Sequence, residues 1–210
     1  MQNFALQLEK TLAGIFAAGK RPRLLLHACC APCSSYTLEY LSAYFGITLY
    51  YYNPNISPRE EYILRANELS KYIGRVDSGR GVCLLIPEYD PAPFLEIARG
   101  LEDLPEGGER CKKCYRLRLA ETAKAAAKGG FDYFCTTLSI SPYKNAASLN
   151  AIGGELAEEY GVPYLFSDFK KKGGYARSIE LSRQYGLYRQ NYCGCIYSKL
   201  AAQRRQNEHS

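Results

Sequence analysis

Along this chain, short apolar runs alternate with stretches in which apolar residues recur every three or four positions. Leu24-Leu25-Leu26, just after Pro22, reads as a buried strand, and Leu38, Leu41 and Phe45 beyond it fall at helical spacing. Residues 47–52 are rich in types that suit a pleated surface, and Tyr62, Ala66, Leu69 and Ile73 give the next helix its buried face. Residues 82–86 form a third apolar run, followed by a Pro-flanked helix at 91–100. An alanine-rich helix runs to Lys128 and is stopped by Gly129-Gly130. Residues 131–137 predict a fourth strand. A helix carrying Leu149, Ile152, Leu156 and Tyr160 leads to a fifth strand over 162–166. A helix near 175–185 and a last short one close the series.

Two starts are also legible. Phe4, Leu8, Leu12 and Ile15 predict an amphipathic helix over residues 1–20, packed on the outside. Ser57-Pro58-Arg59-Glu60 predicts a helix N-terminus, with Ser57 as cap, Pro58 in the first position and Glu60 closing a capping box. Strands alternating with helices argue for α/β architecture: one domain over 1–210, a parallel sheet of about five strands, and helices on both faces. In such sheets ligands bind at the carboxyl ends of strands, near the switch in strand order. Residues 27–33, 53–56 and 139–145 each follow a strand, so all three are expected at one edge.

Composition narrows the classes. With 210 residues, 47% of them hydrophobic, the chain can bury a substantial core. No apolar run approaches the roughly 18–20 residues of a membrane helix, and the opening residues carry no export signal. The expectation is a soluble, cytoplasmic protein with no membrane partner. Nine cysteines in a reducing compartment point to metal ligands or redox centres, not to a disulfide framework. The net charge of +6 is compatible with an RNA partner and common without one.

The cysteines divide by context. Cys83 and Cys135 sit inside apolar strands and read as small buried hydrophobes. The other seven form three tight groups: Cys29, Cys30 and Cys33; Cys111 and Cys114, opening a helix whose dipole favours thiolate; and Cys193 and Cys195 around Gly194. A lone structural zinc needs four ligands, and the adjacent Cys29 and Cys30 are not expected to converge on one small ion. Four thiolates hold a [4Fe-4S] cluster, so a cluster beside a second, mononuclear metal ion accounts for the surplus. His27 is either a ligand or sulfur hydrogen-bond donor, or a satisfied histidine at a strand end. Two rival readings stand beside this one: a thioredoxin-like thiol-disulfide pair at Cys30 and Cys33, and a structural-zinc RNA-binding module.

The spaced set His27-Ala28-Cys29-Cys30-Ala31-Pro32-Cys33 resembles the epoxyqueuosine reductase QueH family. So do the Asn53-Pro54-Asn55-Ile56 turn, Cys111 and Cys114 followed by Tyr115, Ser141-Pro142-Tyr143-Lys144-Asn145, and Tyr192-Cys193-Gly194-Cys195. The markers span nearly the whole chain. The resemblance implies a fold similar to the nucleotide α-hydrolase (HUP) branch of Rossmann-like sheets, with a catalytic, metal-binding part over residues 23–200. The Gly/Ser-rich phosphate loop of that branch is absent, and the cysteine turn takes its place, which argues against ATP-dependent adenylation. The implied activity is reduction of epoxyqueuosine to queuosine at the wobble position of tRNA. The implied cofactors are a [4Fe-4S] cluster and a neighbouring ion, expected to be iron, shared by the seven grouped cysteines. In some members of the family aspartate takes the place of Cys33, which suits a ligand of the mononuclear ion.

Within that frame, Tyr115, Tyr143 and Lys144 are candidates for proton delivery or for orienting the substrate diol. A flipped-out anticodon base needs aromatic faces and edge hydrogen bonds; Tyr51, Tyr52, Asn53, Asn55 and Asn145 lie at the expected edge. Lys170, Lys171, Lys172, Arg177, Arg189, Arg204 and Arg205 are candidates for the tRNA backbone. The electron donor is not named by any motif.

Overall fold

A computed structural model of the chain describes residues 2–207; the side chain of Arg205 lies outside the described residues, and with it that backbone contact. In chain order the elements are α1 (Phe4–Ala17), β1 (Arg23–His27), α2 (Ala31–Leu41), β2 (Gly46–Tyr50), α3 (Arg59–Ile73), β3 (Cys83–Leu85), α4 (Ala92–Ala98), α5 (Glu109–Lys128), β4 (Tyr133–Thr136), α6 (Ala146–Tyr160), α7 (Gly174–Gln184) and α8 (Ile196–Asn207). The strands pair in parallel in the order β3-β2-β1-β4. The fold is α/β and Rossmann-like, with four strands instead of the expected five.

The sheet is buried because β1 is apolar on both faces. Leu24 and Leu26 join a cluster with Leu8, Leu12 and Ile15 of α1, Leu38 and Leu41 of α2, and Leu69 of α3. Leu25 points the other way, into a cluster with Leu119 and Ala123 of α5 and Leu149 and Leu156 of α6. Each of the three leucines is fully buried, an amount of apolar burial that contributes about 2 kcal/mol per side chain. Among the described residues no helix is long and apolar enough to cross a membrane.

The missing fifth strand has a local cause. Tyr164 bridges Phe134 in parallel: the Phe134 N–H donates to Pro163 O at 3.0 Å and the Leu165 N–H to Phe134 O at 2.9 Å. Backwards, the next ladder bond would need an N–H on Pro163, which has none. Forwards, it would need the Ser167 N–H, but that group donates to Asn150 Oδ1 at 2.9 Å, while Asn150 Nδ2 donates to Ser167 O. The pairing therefore stops at one residue.

Two other expectations are corrected. Helix α3 starts at Arg59 with Pro58 as its N-cap and no side-chain cap, so Glu60 falls one position short of a capping box; the Ser57 N–H instead donates to Gly194 O at 2.9 Å. Cys83 is exposed, not buried. It lies on the three-residue edge strand, on a face that neither core cluster reaches. Cys135 is buried as expected, its thiol donating to Leu165 O at 3.2 Å.

Candidate metal centre

The strand order reverses between β1 and β4, and His27 and Thr136 end those strands side by side. Loops after both strands therefore open at the switch point, where ligands sit in such sheets. A helix that returns across a parallel sheet runs antiparallel to its strands, so the N-termini of α2 and α5 reach the same edge. This is why Cys30, the N-cap of α2, and Cys111 and Cys114, in the opening turns of α5, stand at one edge of the sheet although they lie some 80 residues apart.

The first group is tight. The sulfurs of Cys29, Cys30 and Cys33 all lie within 4.8 Å of one another, and those of Cys29 and Cys30 are 3.7 Å apart. The expectation that adjacent cysteines would not converge is thus overturned. Cys30 is fully extended (φ −171°, ψ 167°), the helix begins immediately after it, and Cys33 returns one turn later. This group can hold a metal ion. Its thiols ionise unequally. Cys29 is held well below the usual thiol range by hydrogen bonds from Cys30 and Cys33, against burial and with help from the charges of Arg118 and Lys144. Cys33 is pushed up to about 12 by its contact with Cys29, and Cys30 is also raised. A bound cation displaces such protons, because thiolates are the ligating form.

Cys111 and Cys114 each feel the charges of Cys193 and Cys195, but among the described residues Cys29, Cys30 and Cys33 are the one set of three or more cysteines whose sulfurs all lie within 4.8 Å of one another. Burial pushes Cys114 up to about 12 and raises Cys111 and Cys195, so in the free protein it outweighs the helix dipole. Cys111 Sγ accepts the Gly107 N–H at 3.2 Å and Cys195 Sγ the Ser198 N–H at 3.4 Å, the kind of contact that tunes a ligating sulfur. Arg110 fixes the loop before α5 by donating to the carbonyls of Leu101, Glu102 and Leu104. The Cys193 turn is clamped from α3, where Arg65 Nη1 donates to Cys193 O at 3.2 Å. Gly194 lets that side chain pass: its φ is +124°, and a Cβ there would stand 3.0 Å from Arg65 Nη1.

A cavity of about 660 Å³ opens over the first group, lined by Cys29, Cys30, Cys33 and Cys193, with Tyr143 and Lys144 on one wall and Tyr175, Arg189, Asn191 and Tyr192 on another. Lys144 is half-buried. Burial opposes its charge, but Cys193, Cys29 and Cys33 outweigh that and hold it protonated. Tyr143 is 79% exposed at the mouth. Tyr115 packs beside Cys29 and Cys30, outside the cavity lining, and its hydroxyl is raised by burial.

Several expected site residues serve the scaffold. Asn53 Nδ2 donates to Ala28 O at 2.9 Å, and its Oδ1 accepts from Arg118 Nη2 at 2.6 Å. Asn55 is buried, Asn145 caps α6 through the Ser148 N–H, and neither they nor Tyr51 and Tyr52 line the cavity. His27 is fully buried, with Nδ1 on Thr136 Oγ1 at 2.8 Å and Nε2 facing Arg118 Nε at 3.3 Å. Burial and Arg118 lower its pKa to about 3, so it is neutral and satisfied, not a free ligand. Of the basic residues, Arg177 pairs with Glu39 and Glu180, Lys170 with Asp168, and Lys172 with Glu9; among the described side chains of the group, Arg189 alone lines the cavity. Arg65, Arg118, Tyr175 and Asn191 were not singled out by sequence reasoning. Only the Tyr and Asn flanking Cys193 carried a local signal.

A family model described as epoxyqueuosine reductase QueH matches residues 24–201. Proteins named epoxyqueuosine reductase QueH are similar over most of the chain. That of Staphylococcus epidermidis is 43% identical over 208 residues, covering 95% of this chain and 87% of its own. That of Streptococcus pyogenes is 46% identical over 180 residues, 85% of this chain and 71% of its own. That of Thermotoga maritima is 35% identical over 191 residues, 88% and 94% respectively. The match runs along most of the chain, which belongs to the epoxyqueuosine reductase QueH family.

Proposed function

We propose that this protein reduces epoxyqueuosine to queuosine at the wobble position of tRNA in the cytoplasm. The observation that carries the reading is the convergence of Cys29, Cys30 and Cys33 at the floor of a cavity that also receives Cys193. The donor set fits an iron–sulfur centre. It consists of soft thiol sulfurs, two of which accept backbone N–H groups, and its flanking charges are cationic. Cys29, Cys30, Cys33, Cys111, Cys114, Cys193 and Cys195 would together hold a [4Fe-4S] cluster and an adjacent iron. When bound, these supply electrons and a Lewis acid toward the epoxide oxygen.

The net reaction consumes two electrons and two protons, converts the epoxide to an alkene and releases its oxygen as water. The electrons come from an external donor. The chain's own residues bind the substrate and provide protons. Tyr143, Tyr175 and Tyr192 offer ring faces to the unstacked base, and Asn191 offers donors and acceptors to its edge. Lys144, protonated beside the thiols, donates from Nζ to the departing oxygen. Arg189, at the rim, meets the anticodon phosphates, a contact that weakens with salt.

Three thiols within 4.8 Å favour this reading over a two-cysteine redox pair, which gives Cys29 no role. Anaerobic purification, iron and sulfide analysis, and incubation with epoxyqueuosine-containing tRNA and a chemical reductant provide the test, read by mass spectrometry of the nucleosides. Conversion to queuosine is the expected result. A zinc-loaded protein that binds tRNA and leaves it unchanged would refute the proposal.

A further inference from the structure

Arg65 and Arg118 head the fully buried side chains by size; Arg65 reaches Cys193 O, and Arg118 stands one turn after Cys114 on α5. They differ in how their charge is met. Arg65 Nε bonds Glu61 Oε1 at 2.7 Å. Arg118, on α5, has no carboxylate partner among the described residues. Its Nη2 donates to the Asn53 amide at 2.6 Å and its Nε to His27 Nε2 at 3.3 Å. His27 Nε2 also lies 3.1 Å from the Tyr52 carbonyl, and neither that ring nor the Asn53 amide carries a negative charge. A guanidinium cannot shed its positive charge, and a buried charge without a counter-charge is costly. The neighbours of Arg118 are the cysteine groups: Cys114 precedes it by one turn on α5, and the Asn53 that it bonds also holds Ala28 O beside Cys29, so thiolates at these positions would supply the missing negative charge.

We propose that Arg118 is the built-in counter-cation of the thiolate-bound metal centre. This inference rests on the reading that the cysteines hold an iron–sulfur centre. Thiolates on such a centre leave a net negative charge that increases by one on reduction, and the potential follows local charge and burial. A fixed cation beside the thiolates favours the reduced form and links loading of the centre to the fold. Arg118 is a positioning and tuning residue; it does not touch the substrate cavity.

The test uses the anaerobically reconstituted full chain, with iron and sulfide content, a midpoint potential from a dye-mediated titration, and thermal stability without metal. Three variants separate charge from bracing. Arg118→Met removes the cation. Arg118→Lys keeps the charge with fewer hydrogen bonds. Asn53→Asp sets a carboxylate against Nη2 and neutralises the cation, and because it also gives up the Nδ2 bond to Ala28 O it is read only through the potential of its loaded form. The expected result is a potential lower by about 59 mV or more in Arg118→Met and Asn53→Asp, the one-electron equivalent of a tenfold weaker preference for the reduced centre. Arg118→Lys should stay closer to the parent protein.

Loss of iron from Arg118→Met, with iron retained in Arg118→Lys, also supports the proposal. Unchanged potentials in loaded Arg118→Met and Asn53→Asp would overturn it and leave the metal centre standing. Loss of iron from both Arg118 variants would overturn it too, since shape and not charge would then matter. A parent protein that takes up no iron and sulfide would remove both the centre and its counter-cation.

Discussion

The two halves of the cysteine centre are built in opposite ways. Cys29, Cys30 and Cys33 stand on the turn between a central strand and its helix, where the backbone is committed before any metal arrives. The Ala28 N–H donates to Tyr50 O at 3.0 Å, Asn53 Nδ2 to Ala28 O at 2.9 Å, and Ser34 Oγ to Cys30 O at 2.9 Å. Cys193 and Cys195 stand on the irregular segment between α7 and α8 and are held from a distance, by the Ser57 N–H on Gly194 O and by Arg65 on Cys193 O. The sheet preorganises one half, and side chains of another element tie down the other. Disturbing the first should remove chemistry with the fold intact; disturbing the second should loosen the site by steps.

The largest expected effect is at the preformed half. Cys30→Ser takes one sulfur from the group of three. Activity should fall by more than about 100-fold, beyond the 10–100-fold typical of outer-shell changes. Iron content should drop, while the far-ultraviolet circular dichroism of the metal-free protein stays as before. Retention of full iron and activity would mean that the strand turn is not the ligand platform.

The clamp should respond less steeply. Arg65→Gln alone strands Glu61, whose side chain is 11% exposed, and breaking a buried pair of this kind costs about 3–5 kcal/mol. Paired with Glu61→Gln, the same change isolates the lost hold on Cys193, and metal affinity or activity should fall about 10–100-fold. Gly194→Ala attacks the same contact from the other side: its Cβ would meet Arg65 Nη1 at 3.0 Å and Ile56 Cγ1 at 3.1 Å, at a φ of +124°. A stability loss of about 1–3 kcal/mol in urea denaturation is expected. If both variants match the parent protein in iron affinity, the second half needs no clamp and the contrast fails.

What could be read from the sequence follows the same division. Apolar spacing located nearly every helix and strand, because those signals are local. The three cysteine groups stood out for the same reason. Sheet order is not local, so the exposure of Cys83 on an edge strand was invisible, as was the capture of Ser167 by Asn150, which ends the fifth strand after one residue. Arg65 and Arg118 read as ordinary helical charges, since their partners lie 128 and 91 positions away. Asn53 looked like a substrate contact because it follows a strand at the active edge; it braces that edge instead.

The preformed half also carries a pH signature. His27 titrates near 6.5 when unfolded and near 3 when folded, through burial and the charge of Arg118. Between those values the unfolded chain binds the extra proton, so stability from this group is complete above about pH 6.5 and is lost as pH falls toward 3. The slope approaches about 1.4 kcal/mol per pH unit. His27→Gln should flatten the difference in urea midpoint between about pH 5 and about pH 7. An equal difference in both proteins would show that His27 is protonated in the fold.

The smallest effect is expected away from the edge, at the two cysteines outside the groups. Cys135 is fully buried and its thiol donates to Leu165 O, so Cys135→Ala loses a hydrogen bond and some packing, worth about 1 kcal/mol, with iron content unchanged. Cys83 is exposed on β3. Exposed positions of this kind shift stability by no more than about 0.5 kcal/mol, so Cys83→Ser should leave iron, activity and melting temperature where they were. Its value is as a control of place: the two residues share a side chain with the seven at the edge and differ in position alone. A loss of iron in Cys83→Ser would mean that thiols far from the switch point feed the centre, and the division between a preformed and a clamped half would have to be redrawn around the far edge of the sheet.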